Sequence, residues 1–84
     1  MNLLTVKIYP NPAKTELKVI FKSAVTANSS IRLYHLSGTL IKTIQIGSMQ
    51  QGLVSIPIGD ISNGQYYIQV ISGANQQNIP FIKQ

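Results

Sequence analysis

The sequence contains no cysteine and no tryptophan, and only one histidine and two acidic residues among its 84. Without cysteine there is no disulfide, which leaves cytosolic, periplasmic and surface locations all open. Any acid–base pair would have to be Glu16 and Asp60, and a Ser–His–acid triad would need His35 with one of them. Zinc takes three or four ligands of these types and calcium six to eight oxygens. We therefore predict no catalytic residues, no metal and no cofactor.

Charge is also sparse, although the balance is positive. The net charge of +5 comes from seven basic residues, and no window of six residues holds more than two of them. Nucleic-acid-binding surfaces usually cluster Lys and Arg, so we expect solubilising lysines and no nucleic-acid partner. A weak attraction to an acidic surface such as anionic lipid headgroups is physically reasonable. No apolar run is long enough to span a membrane, and any export signal is expected outside this segment.

Hydrophobic residues alternate with polar ones along almost the whole chain, and no segment has a helical period. The clearest strand carries Leu17, Val19 and Phe21 on one face. Turn-forming residues separate seven such segments, a number typical of sandwiches of this length. The sequence predicts an all-β, immunoglobulin-like antiparallel β-sandwich of about seven strands, as one domain over residues 1–84. The predicted strands are residues 5–9, 16–22, 31–36, 39–46, 53–58, 65–71 and 78–83.

Three of the turns carry further information. Ser37 and Gly38 lie between the third and fourth strands and predict a tight hairpin. Pro57 places the fifth strand at a sheet edge or marks its end. Gly64 and Tyr66 lie where the sixth strand begins, which is the position of a tyrosine corner. In such a corner the ring is buried, and its hydroxyl donates a hydrogen bond to the backbone a few residues upstream. We interpret Gly64 and Tyr66 as a structural corner.

The first turn contains two prolines, in the segment Tyr9-Pro10-Asn11-Pro12-Ala13. Each proline fixes φ and removes a backbone donor, so this turn should be stiff. It suits a rigid corner, and equally a preformed recognition surface with an exposed aromatic ring. The residues alone leave both interpretations open.

Four motifs follow one another in a characteristic order: residues 9–13, residues 33–38, residues 64–70 and, at the end, Phe81-Ile82-Lys83. Over about residues 5–84 the chain resembles the C-terminal sorting domain of type IX (Por) secretion substrates, type A. The resemblance implies candidate recognition residues at matching positions. These are Tyr9, Pro10, Asn11, Pro12, Ala13, Tyr34, Leu36, Ser37, Gly38, Phe81, Ile82 and Lys83.

The resemblance implies a role in transport and not in catalysis. Such domains follow an N-terminal passenger in Bacteroidetes exoproteins. The passenger crosses the periplasm, and the outer-membrane type IX machinery then exports it to the cell surface or the medium. A sortase-like surface peptidase typically removes the domain. The chain departs from the family pattern at His35, Thr39, Pro80 and Gln84, where charged residues are common. We expect His35 to be a side chain near the turn and not a catalytic base.

Two modes of recognition follow. Pro80 cannot donate to a sheet, so the last strand is expected to pair loosely and could be captured by strand addition. Alternatively, the receptor binds the folded surface around the first turn. Open edges also allow a monomer or a strand-exchanged dimer. The alternative function is an adhesion or carbohydrate-binding module of a secreted enzyme, with Tyr9, Tyr34 and Tyr67 as the aromatic candidates.

Overall fold

A computed structural model of the chain describes residues 5–22, 29–46 and 52–84. Within these ranges there are seven strands and no helix, and each predicted strand is present. No helix in the described part of the chain could cross a membrane. The strands are β1 Val6–Tyr9, β2 Glu16–Phe21, β3 Ser30–His35, β4 Leu40–Gln45, β5 Gly52–Pro57, β6 Gly64–Ser72 and β7 Asn75–Lys83.

The strands form two antiparallel sheets. One sheet has three strands in the order β1-β2-β5, and the other has four in the order β4-β3-β6-β7. The second strand therefore pairs with the fifth, and the third with the sixth, as in immunoglobulin-like sandwiches. This confirms the predicted all-β fold. The fifth strand lies at a sheet edge and Pro57 is its last residue, so both interpretations of that proline hold.

The core lies between the sheets and follows from the alternation of residues along each strand. In β2, Leu17, Val19 and Phe21 are buried, and their neighbours are only partly so. In β6, Tyr66, Ile68 and Val70 face the core in the same way. Among the residues that the structure describes, the other buried hydrophobic ones are Val6, Ala13, Ile31, Leu33, Ile56, Ile58 and Phe81. Burial of this apolar surface is the main favourable contribution to folding.

The hairpin between β3 and β4 has the predicted tight turn. The backbone amide of Gly38 donates to the carbonyl of His35 at 2.8 Å, and the His35 amide donates to the carbonyl of Thr39 at 2.9 Å. Gly38 has a φ of +99°. Because residues with a side chain are strained at this φ, the turn favours glycine.

The last strand is longer than predicted, since it begins at Asn75 and not at Asn78. Its first residues are amides, which resemble turn residues in sequence. They nevertheless extend the strand, because β6 offers a partner for each of them, from Gln77 opposite Val70 to Asn75 opposite Ser72. Tertiary pairing therefore overrides the local preference.

A lysine closes one side of the sandwich. Lys42, on β4 of the four-stranded sheet, donates to the carbonyl of Pro57 at 2.6 Å and to Asp60 Oδ1 at 2.9 Å. The two acceptors lie at the end of β5 and just after it, so these hydrogen bonds link the four-stranded sheet to the three-stranded one. The hydrogen bond from Lys42 lowers the pKa of Asp60 below its usual 3.8, and a backbone hydrogen bond at Asp60 acts in the same direction.

Candidate recognition surface

The opposite side of the sandwich is closed by the proline bend, which we define as Pro10, Asn11 and Pro12. The Tyr9–Pro10 and Asn11–Pro12 peptide bonds are both cis. The bend leaves β1 at Tyr9 and approaches the last strand of the other sheet before the chain returns to β2. It thus joins the first motif to the terminal motif.

Backbone hydrogen bonds hold this junction together. Ala13, which follows the bend and is fully buried, forms a parallel bridge with Lys83. Its amide donates to the carbonyl of Ile82 at 2.8 Å, and its carbonyl accepts from the amide of Gln84 at 2.8 Å. The side-chain oxygen of Asn11 accepts from the amide of Ile82 at 3.0 Å. Residues 11–13 thus act as a short extra strand beside the end of β7.

The corner before β6 lies next to this junction. Tyr66 is 4% exposed, and its hydroxyl donates to the carbonyl of Ser62 at 2.6 Å. This hydrogen bond ties the loop before β6 to the strand, which is the geometry of a tyrosine corner. The Tyr66 ring stacks on the Phe81 ring with centroids 5.7 Å apart, and the His35 ring contacts it edge-on with centroids 5.3 Å apart. Gly64, two residues earlier, has a positive φ of 156°.

An apolar groove forms where these segments meet. The backbone amide of Leu36 donates to the carbonyl of Gln65 at 3.1 Å, which brings the β3–β4 turn to the start of β6. The side chains of Leu36 and Ile82 are 59% and 43% exposed. The groove is lined by Asn11, Leu36, Gln65, Tyr66, Pro80, Phe81 and Ile82. Residues from all four motifs of the sequence therefore converge on one surface.

Comparison with protein families identifies the chain. A family model described as a secretion system C-terminal sorting domain matches residues 7–84. The chain belongs to this family. It is a type IX secretion sorting domain, a signal for export to the cell surface or the medium through that machinery. The family is a family of sorting signals and not of enzymes. Neither the curated proteins nor the solved structures contained a match.

The candidate recognition residues of the sorting domain divide into two groups by exposure. One group packs inside the fold, so substituting it would damage the fold itself; it consists of Ala13, Phe81 and Lys83. Tyr34 is half-buried and belongs to neither group. The other group is exposed and available to a receptor; it consists of Tyr9, Pro10, Asn11, Pro12, Leu36, Ser37, Gly38 and Ile82.

Lys83 is an unexpected member of the buried group. Its residue is 7% exposed, and its ammonium donates to Asn63 Oδ1 at 3.3 Å and to the carbonyl of Gln84 at 3.4 Å. The strand alternation that exposes Ile82 directs Lys83 inward. The terminal motif therefore presents an apolar side chain, Ile82, and not a cation.

The structure corrects the expectation that Pro80 loosens the last strand. The register between β6 and β7 is continuous from Gly64–Lys83 to Ser72–Asn75. Ile82 directs its amide outward to Asn11, and alternation places the nitrogen of Pro80 on the same outer side. The missing donor of Pro80 is therefore not one that β6 needs. Along this outer edge, Pro80 has no amide and those of Ile82 and Gln84 are already bonded.

His35 serves the turn. Its Nδ1 accepts from the backbone amide of Ser37 at 3.1 Å and lies 2.9 Å from the Ser37 hydroxyl. The described residues contain no cluster of three His, Cys, Asp or Glu side chains that could hold a metal ion.

Sequence reasoning missed two residues of the groove. Gln65 contributes through its backbone carbonyl, which no side-chain pattern reveals. Pro80 stood out in the sequence as a departure from the family pattern, but nothing indicated that it lines a groove.

Proposed function

We propose that the type IX outer-membrane machinery recognises the rim of this groove, formed by Asn11, Leu36 and Ile82. Four segments converge on one surface: the bend, the β3–β4 turn, the corner, and residues 80–84, which we call the tail. This convergence is the observation that carries the proposal. Leu36 and Ile82 place two exposed aliphatic side chains beside one groove. A surface that is already held in one conformation loses less conformational entropy when a partner binds it.

The surface is preorganised by contacts on both sides. Hydrogen bonds from Ile82 and to Ala13 hold the bend against the tail, and the Leu36–Gln65 hydrogen bond holds the turn. This supports recognition of a folded surface over capture of a loose tail. Strand addition at positions 80, 82 and 84 would first have to displace the bend, since no free amide faces outward there.

The finer steps also belong to the proposal. The domain is of type A, and its N-terminal passenger reaches the periplasm by its own signal peptide. The machinery then carries the passenger across the outer membrane, and a sortase-like surface peptidase removes the domain. The near-absence of reactive side chains suits a protein that is bound and cleaved by others.

The test is a secreted reporter carrying a signal peptide and this chain, expressed in a host with the machinery. Leu36→Ser and Ile82→Ser each remove an exposed side chain from the rim. Leu53→Ser is the matched control, because Leu53 is 49% exposed but lies on the other sheet. We expect the rim variants to leave the reporter in the periplasm and the control to be exported normally.

Folding must be measured in parallel for all three variants. Each should keep the free energy of unfolding within about 0.5 kcal/mol of the parent, as exposed positions usually do. Normal export of both rim variants would refute the proposed surface, and periplasmic retention of the parent fusion would refute the sorting role. Point substitutions are sharper than deletion of residues 82–84, which would also remove the buried Lys83.

A carbohydrate-binding function receives less support. Tyr34 and Tyr67 stack on each other with centroids 5.1 Å apart, and the ammonium of Lys18 lies 5.6 Å from the centroid of the Tyr9 ring. One face of each candidate ring is thus already engaged.

A further inference from the structure

The outer face of the three-stranded sheet carries most of the positive charge of the protein. Lys7, Lys18 and Lys22 occupy strand positions that alternate with buried ones, or directly follow them, and so point away from the core. Lys14 joins them beside Lys18, where both line a surface groove with Glu16. The face therefore holds four of the seven basic residues and one of the two acids.

The single acid on this face is already engaged. Glu16 lies 3.7 Å from the ammonium of Lys18 and accepts a hydrogen bond from the Ser55 hydroxyl at 2.6 Å. Lys7, Lys14 and Lys22 form no ion pair with any residue that the structure describes. Their charge is available to an external partner.

Apolar side chains lie among these lysines. Lys7 is directly opposite Ile20, and Ile20 is opposite Leu53, which is 49% exposed. Tyr9, at the end of β1, is 41% exposed. Aliphatic and tyrosine side chains mixed with lysines are typical of surfaces that rest on a membrane interface, since the lysine stems also cover apolar area.

The opposite sheet also exposes apolar side chains, since Ile41 and Ile82 are 39% and 43% exposed, but it has fewer free cations. Among its basic residues, Arg32 is exposed. The ammonium of Lys42 is bound to Asp60, and Lys83 is buried. Positive charge is therefore concentrated on one side of the sandwich.

We propose that the outer face of the three-stranded sheet docks on an anionic lipid surface, with Lys7, Lys14 and Lys22 contacting headgroup phosphates and Leu53 contacting the apolar boundary. Charge complementarity carries this inference. Nucleic acid fits less well, because the exposed apolar residues have no role against a phosphate backbone and the face carries no arginine. The inference goes beyond the sorting function and does not depend on the groove rim.

The test is flotation of the 84-residue chain with vesicles of phosphatidylcholine, with and without phosphatidylglycerol. We expect binding only when phosphatidylglycerol is present, and weakening at high salt because exposed charges are screened. Lys7→Gln with Lys22→Gln should weaken binding about tenfold to thirtyfold, since each lysine near such a surface contributes roughly fivefold. Arg32→Gln with Lys42→Gln is the matched control, with the same net charge, and should bind as the parent does.

Three results would overturn the proposal. Equal weakening by both double variants would mean that only net charge matters. Equal binding to uncharged vesicles would exclude the role of the lysines. Tighter binding to a short DNA duplex than to the anionic vesicles would assign the face to nucleic acid. A third variant, Leu53→Ser, should weaken vesicle binding while leaving export normal, which separates this proposal from the sorting function.

Discussion

The side chain of Asn11 accepts a hydrogen bond from the backbone amide of Ile82, 3.0 Å away and 71 residues later in the chain. This contact joins the first motif of the sorting domain to its last. Together with the Ala13–Lys83 bridge it covers the outer edge of β7 at the tail. The two modes of recognition considered from the sequence, tail and bend, therefore concern one surface.

Replacing Asn11 with Ala should expose the tail edge. The amide of Ile82 loses its acceptor, so we expect the free energy of unfolding to fall by about 1 kcal/mol and this amide to exchange faster with solvent. Urea denaturation and hydrogen exchange measure the two effects. Asn78→Ala, at an exposed position of the same strand, is the control and should change neither. An unchanged exchange rate at Ile82 would contradict the role assigned to Asn11.

The corner hydroxyl should contribute measurably to stability. Tyr66→Phe leaves the Ser62 carbonyl without its donor, and we expect a loss of about 1–2 kcal/mol in urea denaturation. Tyr67→Phe is the matched control, because it removes a hydroxyl from the next residue while keeping the stack on Tyr34. Equal losses in the two variants would show that the corner hydrogen bond has no special weight.

A side chain at Gly38 should strain the β3–β4 turn. Gly38→Ala places a Cβ at a φ of +99° and should cost about 1–2 kcal/mol by backbone strain alone, since the space around it is open. Gly59→Ala should cost less, because its Cβ would make only an ordinary contact at 3.9 Å to the Thr15 carbonyl. Thermal unfolding of both variants makes the comparison, and similar melting temperatures would argue against the strain.

The Lys42–Asp60 contact should be sensitive to acid. The pKa of Asp60 is lowered in the folded protein, chiefly by the hydrogen bond from Lys42, so its stabilising effect is complete above about pH 3.8 and is lost as the pH falls through the lowered pKa. The stability difference between the parent and Asp60→Asn should therefore be constant at neutral pH and shrink in acid. In a Lys42→Gln background the pH dependence of that difference should be much weaker, and its persistence would exclude Lys42 as the cause.

Local patterns were sufficient to predict the strands. Alternation identified the buried face of β2, and the Ser37-Gly38 pair and Pro57 identified a hairpin and an edge strand. These features depend on neighbours in the chain, and for that reason the sequence carries them directly.

The arrangement of the site depends on contacts that no local pattern encodes. Nothing near Asn11 indicates that it binds Ile82, and nothing near Lys83 indicates that it is buried beside Asn63. The expectation of a loose last strand was wrong because it assumed that β6 needs the backbone donor that Pro80 lacks. The side of the strand on which that donor would lie is decided only by the pairing with β6.

The parallel bridge between Ala13 and Lys83 has a consequence for how the proposed recognition surface forms. The two segments that this bridge joins are separated by almost the whole sequence of the domain. The groove therefore forms only after both segments have been synthesised and have folded together. A truncated chain, or a domain in which the bend has not yet paired with the end of β7, contains the motifs in its sequence but lacks the folded groove. Secretion machinery that binds this surface would therefore accept only domains that are completely synthesised and folded.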